Sequence, residues 1–292
     1  MQARKTDLWL GLLRPKTLFS GLSAVLVPIA YALFTGLDTG WMRPLLLASL
    51  ACSAQISSNI ANDLIDYRRG VDTDQRLGPL RPLSKGLMTE GQVRAALAIS
   101  LVVVFASGVA LLVLSSWLLS MIALLILLGI FAYSGGPYPL SHHGLGEVAV
   151  IVFFGWIPVV VSYYILGGNA WDSTLWHLAT AIGLSSANIL LVNNYRDYKE
   201  DLRSGKRTIV VRLGRDIALK LYLSFGMLSI GLLYPIYSSW GMLVLMPYIL
   251  LFTQGYSSLV TSQGEQLNRT LAMTARNTFF LSILVCTLLI LK

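Results

Sequence analysis

The chain has 292 residues, 55% hydrophobic and only 12% charged, with a mean hydropathy of +0.68 and a formal net charge of +8. A soluble globular protein carries about 25% charged residues, so this composition excludes a soluble enzyme and points to a polytopic membrane protein. The apolar runs are continuous rather than alternating, which excludes a lipid-facing barrel and leaves helices.

The first seven residues, Met1-Gln-Ala-Arg-Lys-Thr-Asp7, are short and polar, and no small-residue cleavage pattern follows the first apolar run. Spans are then predicted at 16–35, 42–64, 94–114, 117–133, 147–167, 175–195, 217–237, 241–261 and 277–291. Several are near the ~20 residues needed to cross ~30 Å of hydrocarbon. The expectation is an all-α, polytopic membrane helix bundle of about nine transmembrane helices, forming one domain over 1–292. The division at Ser115-Ser116 is the least marked.

With the N-terminus inside and the spans alternating, the inner segments hold 20 of the 22 Lys and Arg, leaving Arg43 and Lys292 outside. A misplaced span would scatter them, so this asymmetry supports the count and the orientation together. The net charge is then a topology signal, which argues against nucleic acid as a partner. Cys52 and Cys286 fall within apolar spans and read as small core residues, not as a disulfide or a metal site.

Two polar strings interrupt this pattern. Asn62-Asp63-Leu-Ile-Asp66 ends the second span, and Asn193-Asn194-Tyr-Arg-Asp197-Tyr-Lys-Glu-Asp201 ends the sixth. On helices, Asn59, Asn62, Asp63 and Asp66 share an arc of roughly 100°, as do Asn193, Asn194, Asp197 and Asp201. An ionised Asp at membrane depth costs on the order of a few kcal/mol unless it is neutralised. Solvated acids at a helix end would account for either string alone. They do not account for the deeper asparagines or for the recurrence.

Carboxylate and amide oxygens suit Mg²⁺, which binds through one or two carboxylates plus substrate phosphates. The basic residues that follow (Arg68, Arg69, Arg76, Arg81, Lys85, Lys206 and Arg207) match phosphate oxygens, although each is also a positive-inside residue. Together they indicate a Mg²⁺–diphosphate complex carried by a lipid.

These residues resemble the two aspartate-rich motifs of the UbiA superfamily of intramembrane aromatic prenyltransferases. Arg68-Arg-Gly-Val-Asp72-Thr-Asp-Gln-Arg76-Leu-Gly-Pro79, Gly136-Pro-Tyr-Pro139, Gly144-Leu-Gly-Glu147, Phe153-Phe-Gly155, Gly205-Lys-Arg-Thr208 and Val211-Arg-Leu-Gly214 resemble the branch that acts on 1,4-dihydroxy-2-naphthoate in menaquinone synthesis. The likeness runs from about residue 13 to 215. Two departures from the commonest superfamily pattern accord with that branch. Gly70 stands where the first motif usually ends in Asp, with Asp72 instead, and Arg76-Leu-Gly-Pro79 replaces the Asn-Arg-Pro of the hydroxybenzoate branch.

The resemblance implies polyprenyl transfer from an allylic diphosphate to 1,4-dihydroxy-2-naphthoate, with loss of CO₂ and diphosphate, in the bacterial cytoplasmic membrane. The N-terminus and active-site loops would face the cytoplasm. Asn62, Asp63, Asp66, Asp72, Asn193, Asn194, Asp197 and Asp201 are the expected Mg²⁺ ligands, with Asp63, Asp66, Asp197 and Asp201 at the centre of catalysis. Arg76, Lys206 and Arg207 are expected on the diphosphate, and Tyr133 and Tyr138 beside the acceptor.

His142, His143 and Glu147 are further polar candidates; Ser57, Ser58 and Asn188 serve either the substrate or helix packing. A 4-hydroxybenzoate prenyltransferase, an ion-coupled transporter and a non-catalytic lipid-diphosphate binder are the alternatives.

Overall fold

The computed structural model describes residues 5–68, 70, 81–133, 135, 137–237 and 241–292, and these build an all-helical bundle. A short helix α1 (Lys5–Leu13) leads through Arg14 into α2 (Pro15–Phe34). Pro15 suits the first helical turn, where its missing N–H is no loss. Arg14 sits at φ 50, the one non-glycine residue with positive φ among those described. Next come α3 (Met42–Arg68), α4 (Glu90–Leu114) and, after a 3₁₀ turn at Trp117–Leu119, α5 (Ser120–Ala132). Thr89 and Gln92 close a capping box that starts α4.

One span is broken into α6 (Gly146–Ile151) and α7 (Ile157–Ile165) by a π-helical turn at Val152–Trp156. Helix α8 (Ser173–Arg196), capped by Asp172, continues past Asp197 into α9 (Tyr198–Arg203). The remaining helices are α10 (Ile209–Leu213), α11 (Arg215–Gly231), α12 (Gly241–Thr261) and α13 (Leu267–Leu291).

Among the described residues, eight helical stretches are long and apolar enough to cross a membrane, and Trp117–Gly129 is a shorter apolar helix. The expected division at Ser115-Ser116 holds. The last helix starts ten residues earlier than its apolar run, because Leu267–Arg276 continues the helix as a polar extension.

Alternation is visible in contacts at the bundle ends. At one end Arg43 reaches the Leu114 carbonyl, Tyr31 bonds Asp172, and Lys292 reaches the Pro235 carbonyl. The exposed Trp41, Trp117 and Trp171 lie in the connections at that end, as an interfacial belt would. Both acidic strings lie at the other.

Helix α8 is the most enclosed, packing on α6, α11, α13 and the π turn, while α3 packs on α2, α4 and α5. Lipid tails are as apolar as the side chains, so close packing and polar ties join the helices. Gly155 and Gly183 allow the closest crossing: a Cβ on Gly155 would lie 2.5 Å from the Ala179 carbonyl oxygen. Ser57 bonds Ser100, and Asn188 donates to the Tyr222 carbonyl, so both serve as helix–helix ties.

Candidate active site

The end of α3 brings the first string inward. Asp63 is fully buried and Asp66 nearly so. Asp63 Oδ1 accepts from Arg14 and lies 3.1 Å from Arg81 Nε, while Arg81 Nη1 donates to Asp66 Oδ2 at 2.9 Å. A buried carboxylate persists only when paired, and these arginines supply the counter-charge. Asn59 donates to the Leu13 carbonyl at 3.3 Å and Thr17 Oγ1 at 3.0 Å, fixing the turn that presents Arg14. Arg68 pairs with Glu90 on α4 instead.

The second string is organised by Arg196, whose side chain is completely enclosed. Its fork donates to both oxygens of Asp197 at 2.7 Å, to Asn193 Oδ1 at 2.8 Å and to Asn268 Oδ1 on α13 at 2.8 Å. Planar, bidentate pairing of this kind is what guanidinium offers and ammonium does not. Asn194 donates to Glu147 Oε1 at 2.9 Å. Asp201, 6% exposed, lies 3.7 Å from Lys206 Nζ. Arg215 stacks 4.4 Å above the Tyr195 ring and donates to its carbonyl, bracing the end of α8.

Tyr133, at the inner end of α5, links the two strings. The carboxylates of Glu147, Asp66 and Asp201 all lie within electrostatic range of its phenol. One hydroxyl therefore lies within electrostatic reach of both strings and of α6. The loop from 137 to 145 is tied down by Ser141 N–H on the Tyr133 carbonyl and by Arg207 N–H on the His142 carbonyl. Tyr138 is 56% exposed and stacks on His143, outside the buried cluster. The Arg207 side chain is also exposed. Arg76 and Asp72 lie outside the described residues.

The sequence assigns no particular role to Arg14, Arg196 or Asn268, and it offers Arg81 to phosphate oxygens, whereas in the structure Arg14 and Arg81 pair with the first acids and Arg196, with Asn268, braces the second string. Arg14-Pro15 was the available signal for a turn; Arg196 lay inside the motif but read as one more positive-inside charge.

The donors fit a hard cation. Asp63 Oδ2 and Asn62 Oδ1 are buried without a hydrogen-bond partner among the described residues. Among those residues no group of three His, Cys, Asp or Glu side chains could hold a metal ion by itself. Carboxylate and amide oxygens of this kind are what a hard divalent cation takes, with water and phosphate oxygens completing its shell.

The sequence matches the UbiA prenyltransferase family over residues 20–284. The chain belongs to that family. A relative, the 1,4-dihydroxy-2-naphthoate octaprenyltransferase of Escherichia coli (strain K12), is 38% identical over 264 residues, covering 87% of this chain and 85% of that protein.

Among solved UbiA structures, the apo form of a homolog from Aeropyrum pernix K1 has a TM-score of 0.70, covering 94% of this chain and 97% of that one at 16% identity. A homolog from Archaeoglobus fulgidus bound to DMAPP and Mg²⁺ has a TM-score of 0.63, covering 96% and 99% at 16% identity. At such identities these two establish the fold only: UbiA-like and all-helical, as expected.

Proposed function

We propose that this integral membrane enzyme transfers a polyprenyl group from an allylic diphosphate to 1,4-dihydroxy-2-naphthoate, releasing diphosphate and CO₂ and leaving demethylmenaquinol. The observation that carries the reading is 38% identity to a naphthoate octaprenyltransferase over 87% of this chain, and the buried acid–arginine clusters at the ends of α3 and α8 support it. Neither the hydroxybenzoate alternative nor the transporter alternative gains comparable support.

Asn62, Asp63, Asp66 and Asp72 on one side, with Asn193, Asn194, Asp197 and Asp201 on the other, are the proposed holders of Mg²⁺. Bound there, Mg²⁺ would supply positive charge to a leaving diphosphate. Arg14 and Arg81 compensate Asp63 and Asp66 and keep positive charge beside the place proposed for the diphosphate. Lys206 beside Asp201, with Arg76 and Arg207, is proposed to add cationic contacts.

The allylic C–O bond breaks with its electron pair leaving on the diphosphate. The electron-rich ring then attacks the terminal carbon, and enclosure by Tyr133 and the tied loop keeps water from the cation. Tyr138, on the surface of that loop, is proposed at the acceptor's entrance.

We place the acidic end and the N-terminus on the cytoplasmic side of a bacterial inner membrane, because 20 of the 22 Lys and Arg fall there by span alternation. Membranes supplied with dihydroxynaphthoate, Mg²⁺ and a polyprenyl diphosphate should yield the decarboxylated quinol. Asp66→Ala should reduce its formation at least ~100-fold. Undiminished turnover by Asp66→Ala would reject the site, and a product from 4-hydroxybenzoate alone would reject the acceptor.

A further inference from the structure

Glu147 opens α6 at the acidic end and is 2% exposed. Its Oε1 accepts the 2.9 Å hydrogen bond from Asn194 Nδ2. The second oxygen, Oε2, is equally enclosed and has no hydrogen-bond partner among the described residues. Leaving such an acceptor unsatisfied is costly, so something that donates is expected there during the enzyme's cycle.

The neighbours say what kind of donor. Tyr133 lies beside Glu147, its hydroxyl oxygen 3.7 Å from where a Cβ on Gly146 would stand, and it senses the charges of Glu147, Asp66 and Asp201 together. The carboxylate therefore lies near the Tyr133 hydroxyl, where the charges of both acidic strings are felt. A diphosphate brings only acceptors and negative charge, so it would be repelled. A ring bearing an O–H group supplies the donor that the lone acceptor lacks.

We propose that Glu147 is a catalytic residue that binds the aromatic acceptor, its Oε2 taking a hydrogen bond from a ring hydroxyl while Asn194 fixes Oε1. This rests on the reading of the substrate as a phenolic acid. When the allylic carbon bonds to the ring, the C–O bond to diphosphate has broken with its electron pair on the leaving group. The ring then carries positive charge shared with its hydroxyl oxygen. The carboxylate stabilises that charge through the hydrogen bond, and the proton stays on the substrate. The bond to the substrate carboxylate breaks next; its electron pair restores the aromatic ring as CO₂ departs.

Purified wild-type protein, Glu147→Gln and Glu147→Asp are compared by calorimetric binding of 1,4-dihydroxy-2-naphthoate, of 2-naphthoate, and separately of a prenyl diphosphate with Mg²⁺. Wild type should prefer the hydroxylated acid by at least ~10-fold. Glu147→Gln should bind the two acids alike and lose roughly 100-fold in kcat, with prenyl diphosphate affinity unchanged. Glu147→Asp, which keeps the acceptor, should regain part of the preference, and it carries the comparison if the glutamine variant does not fold.

Retained discrimination in Glu147→Gln overturns the proposal. Loss of Mg²⁺-dependent diphosphate binding overturns it too, by assigning the carboxylate to the metal. A wild type that prenylates 4-hydroxybenzoate and not the naphthoate overturns the acceptor assignment alone; 4-hydroxybenzoate against benzoate then tests Glu147.

Discussion

Arg196 shows how one residue can decide whether an acidic string is a site or a liability. It is among the largest side chains the bundle encloses completely, and it holds Asp197, Asn193 and Asn268 at once. Arg196→Met would leave Asp197 buried without its partner. It should cost about 3–5 kcal/mol, read as lowered thermal stability in detergent. Arg196→Lys should recover only part of that, because a point charge cannot reproduce the fork.

The acids were legible in the sequence because charge in an apolar helix demands a reason. The arginines that answer them were not, because positive residues at this end also mark topology. Arg196 and Lys199 look alike in sequence, yet one is enclosed and the other exposed.

Among the elements, the span built from α6, the π turn and α7 depends on its approach to α8. A Cβ on Gly155 would meet the Ala179 carbonyl oxygen at 2.5 Å and Gly183 Cα at 2.7 Å, all backbone that cannot swing aside. One on Gly183 would meet Ile151 backbone at 3.0 Å and above. One on Gly108 would meet nothing within 4 Å. Alanine should therefore destabilise most at Gly155, by roughly 1–3 kcal/mol, less at Gly183, and not at all at Gly108. Parallel melting curves of the three variants check that order, and Gly155→Ala should also lower turnover because α6 carries Glu147.

Hydropathy made the spans legible, because each apolar run needs a helix of membrane length. The π turn left no mark, since inserting one extra residue per turn barely changes an apolar stretch. The early start of α13 was hidden for the opposite reason: Asn268, Arg269, Arg276 and Asn277 interrupt the apolar pattern although the helix runs through them.

Across the whole molecule, span alternation gathers 20 of the 22 Lys and Arg at one end and leaves the exposed Trp41, Trp117 and Trp171 at the other. Asp38 and Ser204 are both exposed, on opposite ends. A membrane-impermeant maleimide should label Asp38→Cys in intact cells and Ser204→Cys only after the inner face is opened; the reverse pattern would invert the proposed orientation. The architecture itself was readable because lipid permits few backbone solutions, whereas the position of one helix end relative to another emerges only from packing.

One element does not match its surroundings in length. The 3₁₀ turn and α5 together, from Trp117 to Ala132, reach only about 25 Å, against ~30 Å of hydrocarbon. With Trp117 at the far interface, a helix of that reach would end several ångströms beneath the near one, and the adjoining leaflet would thin to meet it. A dimple of this kind would let a lipid keep its head among its neighbours while its first carbon already lies at reaction depth.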